Sequence, residues 1–171
     1  RVISTLDCIL KNYGEFEIIL VLQKTKAEFN EKIKKYFNYD PKLKIINDYG
    51  VGISRARNIA IRASLGEWLL LLDDDVFIKE NTLEKLNGQL LDKELFFYGN
   101  ALISETNSHY LQHYVTNRDI SIWSYNRVCS ISLVINRKVF DKVGFFDENL
   151  GSGSELGSSE ESDLIIRALL N

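Results

Sequence analysis

Residues Tyr49–Val76 read YGVGISRARNIAIRASLGEWLLLLDDDV. Within them, Glu67–Leu72 is an apolar run too short for a helix, bounded by Gly66 and Asp73. Such a run suits a central strand of a parallel sheet, covered by helices on both faces. The segment before it has the spacing of an amphipathic helix. Ile53, Ala56, Ala60 and Ser64 form a narrow face, Ser54 is a good N-cap type, and Gly66 is a C-terminal stop. Gly50-Val51-Gly52 gives a flexible backbone at the helix entrance. Asp73, Asp74 and Asp75 follow where the strand leaves the sheet. In open α/β sheets the ligand crevice lies outside the carboxyl ends of the strands. Three adjacent carboxylates repel one another, and burial adds to the cost unless a cation pairs with them. A hard divalent ion with oxygen ligands, Mg²⁺ or Mn²⁺, suits them, with a substrate phosphate completing its shell. Taken alone, the triplet also reads as an acidic turn that ends a strand in water.

The flanking chain repeats the alternation. Val2, Leu6, Ile9, Leu10 and Tyr13 share a helical face, and Gly14 breaks that pattern before an apolar strand, Phe16–Leu22. Phe29, Ile33, Tyr36 and Phe37 mark a second amphipathic helix, Asp40-Pro41 a turn, and Leu43–Ile46 a short strand. Beyond the aspartates, Asn81 is placed to cap a helix with Leu83, Leu86 and Leu90 inward. Phe96–Ile103 and Arg127–Arg137 read as strands, and Arg137–Val143 as a short helix stopped by Gly144. Strand and helix in turn argue an α/β fold with a mostly parallel central sheet between helical layers.

Composition narrows the function. The chain has 171 residues, 45% hydrophobic and 26% charged, with a formal net charge of −3. That is one globular domain with no basic footprint for nucleic acid. Two cysteines, Cys8 and Cys129, make no disulfide framework, and a cytoplasmic, reducing location is expected. No apolar run approaches the length of a membrane span. His109 and His113, four apart, read as a zinc pair on a helix or as surface histidines, with no HExxH pattern beside them.

A second acidic cluster follows the glycine- and serine-rich loop Gly151–Gly157. Ser158-Ser159-Glu160-Glu161-Ser162-Asp163 opens a helix with Leu164, Ile165, Ala168 and Leu169 inward. Ser158-x-x-Glu161 matches a capping box, and acids favour a helix N-terminus. Locally, then, Glu161 is either half of a cap or an acid held for chemistry.

Three runs together resemble family 2 glycosyltransferases. These are Gly52–Ile61 as G-x-S-x-A-R-N-x-(A/G)-I, Ala63–Trp68 as A-x-G-E-(W/Y), and Leu72–Asp75 as L-D-x-D. Phe145–Glu148 is similar to the family's G-x-F-D-E segment, and Glu160–Arg167 to its E-D-x-D-L-x-x-R. The resemblance implies a GT-A (Rossmann-like) three-layer sandwich, with residues 1–103 as the nucleotide-sugar-binding half and 104–171 as the acceptor-side half of one domain. It implies a preceding strand and a P-T-(Y/F)-N-R loop ending at Arg1, so a longer enzyme is expected. It implies a nucleotide-diphospho-sugar donor and a saccharide or lipid-linked acceptor, in polysaccharide or glycoconjugate synthesis. Peripheral membrane association would come from segments outside this chain.

On the same basis Asp75 and Asp73 are expected to hold Mn²⁺ or Mg²⁺. Asp73, Asp74, Arg57, Gln23 and Ser54 are expected around the donor. Glu161, with Glu160 and Asp163 as neighbours, carries the catalytic base, where the family usually has Asp. The family's aspartate-rich V-D-D-G-S base contact is replaced by Val21-Leu22-Gln23-Lys24-Thr25, so Gln23 either meets the nucleobase edge or is an exposed loop residue. Arg57 holds nucleotide or structure, or forms a surface ion pair. One carboxylate base and one in-line displacement imply inversion at the anomeric carbon. The competing class is a non-catalytic nucleotide- or sugar-binding module derived from the same fold. A nucleotidyltransferase would show G-x-G-T-R-x-x-P, which is absent.

Overall fold

The computed structural model describes residues 1–90, 96–98 (backbone only), 121–123 and 133–171. Helix α1 (Val2–Leu10) leads to β1 (Ile18–Gln23), α2 (Ala27–Tyr36), β2 (Leu43–Asp48) and α3 (Ile53–Ala63). Then come β3 (Trp68–Leu70), α4 (Thr82–Leu90), β4 (Phe96–Tyr98), β5 (Leu133–Asn136), α5 (Lys138–Val143) and α6 (Glu160–Leu169). The expected helices and strands are present, with ends shifted by a few residues. The expectations at His109, His113, Cys129 and residues 99–103 and 127–132 lie outside the described residues.

Strands β1 and β2 pair in parallel, Ile18 opposite Leu43 through Gln23 opposite Asp48. Gln23 and Asp48 therefore leave the sheet side by side. Strand β3 pairs antiparallel with β5, Trp68 opposite Asn136, and β4 flanks β5 on the other side. Within the run at 67–72, Trp68–Leu70 form a strand, but its described neighbour is antiparallel. An apolar run reports burial on both faces, and burial does not fix the neighbour's direction.

Two apolar clusters fill the interior. One joins Ile61 of α3, Leu69 and Leu71, Leu133 and Ile135 of β5, Val139 and Phe140 of α5, Phe146, and Leu164 of α6. The other joins Leu6 of α1, Leu22 of β1 and Ile33 of α2, with Ile18, Leu20, Leu43 and Ile45 partly buried against them. Among the described residues no helix is long and apolar enough to cross a membrane.

The helix ends are secured from a distance more than by local caps. Gly52, at φ +112°, occupies the N-cap position of α3, and Ser54 lies inside the helix, fully buried. Its Oγ donates to the Leu150 carbonyl at 2.6 Å, so the expected cap is replaced by a tie to the opposite half of the chain. The C-terminal carbonyls of α3 are taken by Arg137, which donates to Ile61, Ser64 and Gly66 oxygens at 3.1, 2.8 and 3.0 Å. A cation at a helix C-terminus satisfies both the orphan carbonyls and the dipole. Asn81 does not cap α4 through its side chain. It sits at φ +60°, and the Leu83 N–H donates instead to Asn12 Oδ1 at 3.2 Å.

Candidate active site

The buried face of α3 is polar. Its inward positions are Ser54, Arg57, Asn58 and Ile61, not the Ile53, Ala56, Ala60, Ser64 face that hydrophobic spacing suggests. The reason lies in what packs there. Asn58 donates to the Phe146 carbonyl at 2.9 Å and to Glu148 Oε1 at 3.0 Å, and accepts the Phe146 N–H at 3.0 Å. It staples the Phe145–Glu148 segment to α3. Nearby, the Ile53 N–H donates to the Ser152 carbonyl at 2.9 Å. The loop can come this close because Gly151 and Gly153 have positive φ and no side chain. A Cβ on Gly151 would stand 2.6 Å from Ile53 Cγ2 and 3.0 Å from Glu160 Oε2.

Arg57 stands at the centre of this packing. Its Nη1 donates to Glu160 Oε1 at 2.9 Å and lies 3.6 Å from Glu161 Oε1. Its Nη2 lies 3.6 Å from Asp73 Oδ1. The guanidinium is packed over Phe146, 5.6 Å from the ring centroid. Side-chain exposure is 9% for Arg57, 8% for Glu160, 18% for Glu161 and 39% for Asp73. One buried cation therefore gathers both acidic clusters of the sequence. A surface ion pair is excluded by that burial.

Charge is unbalanced there, since three carboxylates face one guanidinium. Burial pushes the Asp73 carboxyl above the usual aspartate range; Arg57 pulls it back, while Asp75, Glu161 and Asp74 push further. Burial also raises Glu160, with Glu161 adding to the rise and Arg57 opposing it. A group of carboxylates strained in this way favours a further cation.

The remaining sequence candidates divide. Ser159, not Ser158, precedes α6, in a left-handed conformation with no side-chain cap, so the capping box is not formed and Glu161 is not spent on it. Asp163 is committed elsewhere. It pairs with Arg167 at 2.6 and 3.0 Å, and Arg167 in turn donates to the Val143 and Phe145 carbonyls, pinning α6 to the end of α5. Asp74 is exposed, and its carbonyl accepts from Thr5 Oγ1 at 2.8 Å. Asp75 is exposed and lies 3.7 Å from Arg1 Nη1.

Gln23 Nε2 donates to Asp48 Oδ2 at 3.0 Å and to the Gly52 carbonyl at 3.1 Å. Both neighbours are acceptors, so the amide nitrogen must face them. Asp48 went unnoticed in the sequence. Buried at the end of β2, it also accepts from Arg55 at 3.0 to 3.2 Å and from the Gly50 N–H at 3.1 Å. The available signal was its place, an acid ending an apolar strand before Tyr49-Gly50, the same reasoning that marked Asp73.

Among the described residues no three His, Cys, Asp or Glu side chains converge closely enough to hold a metal ion by themselves. The donor chemistry nonetheless fits Mg²⁺ or Mn²⁺. Such ions are held by one or two carboxylates with substrate phosphates supplying the rest, and the Asp73 carboxyl is raised first by burial and then by the acids around it.

The profile of the family described as "Glycosyl transferase family 2" matches residues 1–146. The chain belongs to glycosyl transferase family 2. The chain is 25% identical over 142 residues to the glycosyltransferase GlyG of Streptococcus pneumoniae serotype 4, covering 81% of this chain and 46% of GlyG. It is 24% identical over 148 residues to the Escherichia coli UDP-Glc:alpha-D-GlcNAc-diphosphoundecaprenol beta-1,3-glucosyltransferase WfgD, covering 83% and 57%. The chain thus spans about half the length of the curated relatives it matches.

Two solved structures superpose over nearly all of it. TarS 1–349 of S. aureus in complex with UDP-GlcNAc has a TM-score of 0.73 at 18% identity, over 99% of this chain and 49% of that one. The mannosyltransferase PcManGT from Pyrobaculum calidifontis, in complex with GDP-Man and Mn²⁺, has 0.69 at 15% identity, over 98% and 48%. At these identities the likeness shows the fold, an α/β GT-A architecture, as the family motifs imply.

Proposed function

We propose that this chain carries the donor site and the base of a metal-dependent, inverting glycosyltransferase. The observation that carries the reading is Arg57, which brings Asp73 and the Glu160–Glu161 pair into one site. The donor is a nucleotide-diphospho-sugar, a reading supported by the GDP-Man and UDP-GlcNAc of the two structural neighbours. The acceptor is a saccharide or lipid-linked hydroxyl, a class to which WfgD's substrate belongs by name. Synthesis of a polysaccharide or glycoconjugate at the cytoplasmic side of a membrane is consistent with these.

Asp73 and Asp75 would hold Mn²⁺ or Mg²⁺, and such an ion would neutralise charge on the departing diphosphate. Glu161 is the base. It is the more exposed of the two glutamates, is free of the cap, and lies 3.6 Å from Arg57, within ion-pair distance. Glu160, buried and hydrogen-bonded to Arg57, fixes the guanidinium. In the reaction the acceptor hydroxyl gives its proton to a Glu161 oxygen. Its own oxygen bonds the anomeric carbon as that carbon's bond to the diphosphate breaks, and configuration inverts.

The test is sugar transfer and donor affinity measured side by side in the full-length protein. Glu161→Gln should lower transfer about 10²-fold or more while donor affinity holds. Asp163→Asn should lose stability and keep most of its transfer. Wild-type transfer by Glu161→Gln, with loss in Glu160→Gln or Asp163→Asn, moves the base to that neighbour. No transfer by any form, with donor still bound, favours the binding module.

A further inference from the structure

We propose that Arg57 is a positioning residue that couples the two acidic clusters by being shared between them. The proposal rests on the assignment of Asp73 to the metal. Of the three carboxylates around the guanidinium, only Glu160 is at hydrogen-bond distance, 2.9 Å; Asp73 and Glu161 stand at 3.6 Å, in ionic contact but beyond a good hydrogen bond. Arg57 is 9% exposed and lies over Phe146, so it cannot turn to water and must divide its charge among the acids. A cation at Asp73 satisfies that side and leaves the whole guanidinium to Glu160 and Glu161. The glutamates are then firmly oriented only when the donor's cation is in place. Such coupling is reciprocal: whatever draws Arg57 away from Asp73 must favour the cation there, and whatever sends it back must oppose it.

The readout is the dissociation constant for Mn²⁺ alone, from the electron paramagnetic resonance of free Mn²⁺, with no donor or acceptor present. Glu160→Gln should weaken Mn²⁺ about fivefold or more, although Glu160 is not a ligand, because Arg57 then leans fully on Asp73. Arg57→Gln should strengthen Mn²⁺ by a similar factor while lowering transfer, a pair of opposite signs that a merely structural arginine would not give. The deciding measurement is the double variant. If Glu160 acts through Arg57, Glu160→Gln has no effect on Mn²⁺ in the Arg57→Gln background. Should Arg57→Gln fail to fold, Arg57→Lys replaces it in the same cycle, because a single ammonium does not span both clusters. Equal Mn²⁺ affinity in wild type and Glu160→Gln, or an equal effect of Glu160→Gln in both backgrounds, overturns the coupling and leaves the metal assignment standing. Absence of Mn²⁺ binding by the wild type removes that assignment, and the coupling with it.

Discussion

Asp48 and Asp73 both end strands, and their surroundings drive their carboxyls in opposite directions. Asp48 is held down to about 2, first by the hydrogen bonds from Arg55; burial opposes this, and the Gly50 N–H and Gln23 amide add to the lowering. Its folded value lies below the ordinary aspartate value. The stability it contributes is therefore fully present above about pH 4 and is lost as pH falls through about 2. Because Arg55 is 43% exposed, that contribution is on the order of 1 kcal/mol after screening. Asp48→Asn should cost that much at pH 7 in urea unfolding, and the gap from wild type should close toward pH 2. A gap unchanged in acid would mean that shape, not charge, holds the loop. Asp73 behaves in the reverse sense. Its carboxyl is raised by burial, so the folded state gains stability as pH falls through its folded value toward the ordinary one. Asp73→Asn should accordingly melt no lower than wild type at pH 7, and higher if the repulsion dominates, while Mn²⁺ binding is lost. A clear drop in melting temperature would show that its pairing with Arg57 outweighs its burial. The sequence made Asp73 legible through its context, an apolar strand ending in acids directly after the Gly52–Trp68 runs, because the triplet alone also reads as an acidic turn. A single acid such as Asp48 looked ordinary, and nothing local announced that Arg57 would be buried.

At the scale of elements, α3 is legible in the sequence as a helix, and its orientation is not. Hydrophobic spacing finds the face that meets an apolar core. Here the helix meets a loop and the carboxylates of Asp73, Glu160 and Glu161, so Ser54, Arg57 and Asn58 turn inward and the alanines do not. The capping box of α6 failed for a related reason. Its match describes what an isolated helix start prefers, but the approach of Gly151 to Glu160 and the pull of Arg57 fix this one from outside. Gly151 is therefore where loop and helix can be tested together. At φ +95° any side chain is strained, and a methyl would meet both Ile53 and Glu160. Gly151→Ala should cost about 1–3 kcal/mol in unfolding free energy. It should also lower transfer more than it lowers donor affinity, because the displaced group is Glu160 and not the aspartates. If donor affinity falls as far as transfer does, the loop supports the nucleotide and not the glutamates.

For the whole molecule, alternation of strand and helix disclosed the α/β class, and burial is distributed in a way that alternation does not reveal. All four residues of β5 are buried, as are Leu69 and Leu71 beside them and Leu164 and Ile165 of α6. In β1 only Leu22 is buried, and Ile18, Ile19, Leu20 and Val21 are all partly accessible. The apolar runs look alike in sequence because residue type sets how much surface can be buried, while the neighbours decide how much is. Stability should be uneven in consequence, since local opening is easiest where few apolar contacts must be broken. Native-state amide exchange is expected to be slowest at Leu133–Asn136 and faster by about tenfold or more at Ile18–Gln23. Cavity substitutions should follow the same order. Leu133→Ala falls in a fully buried site and should cost about 2–5 kcal/mol, and Leu20→Ala distinctly less. Because Gln23 and Asp48 lie at the ends of β1 and β2, a nucleotide that engages them should slow exchange in those strands more than in β5. Equal protection of β1 and β5 in the free protein, or ligand protection confined to β5, would place the donor's base away from Gln23 and remove that residue from the site.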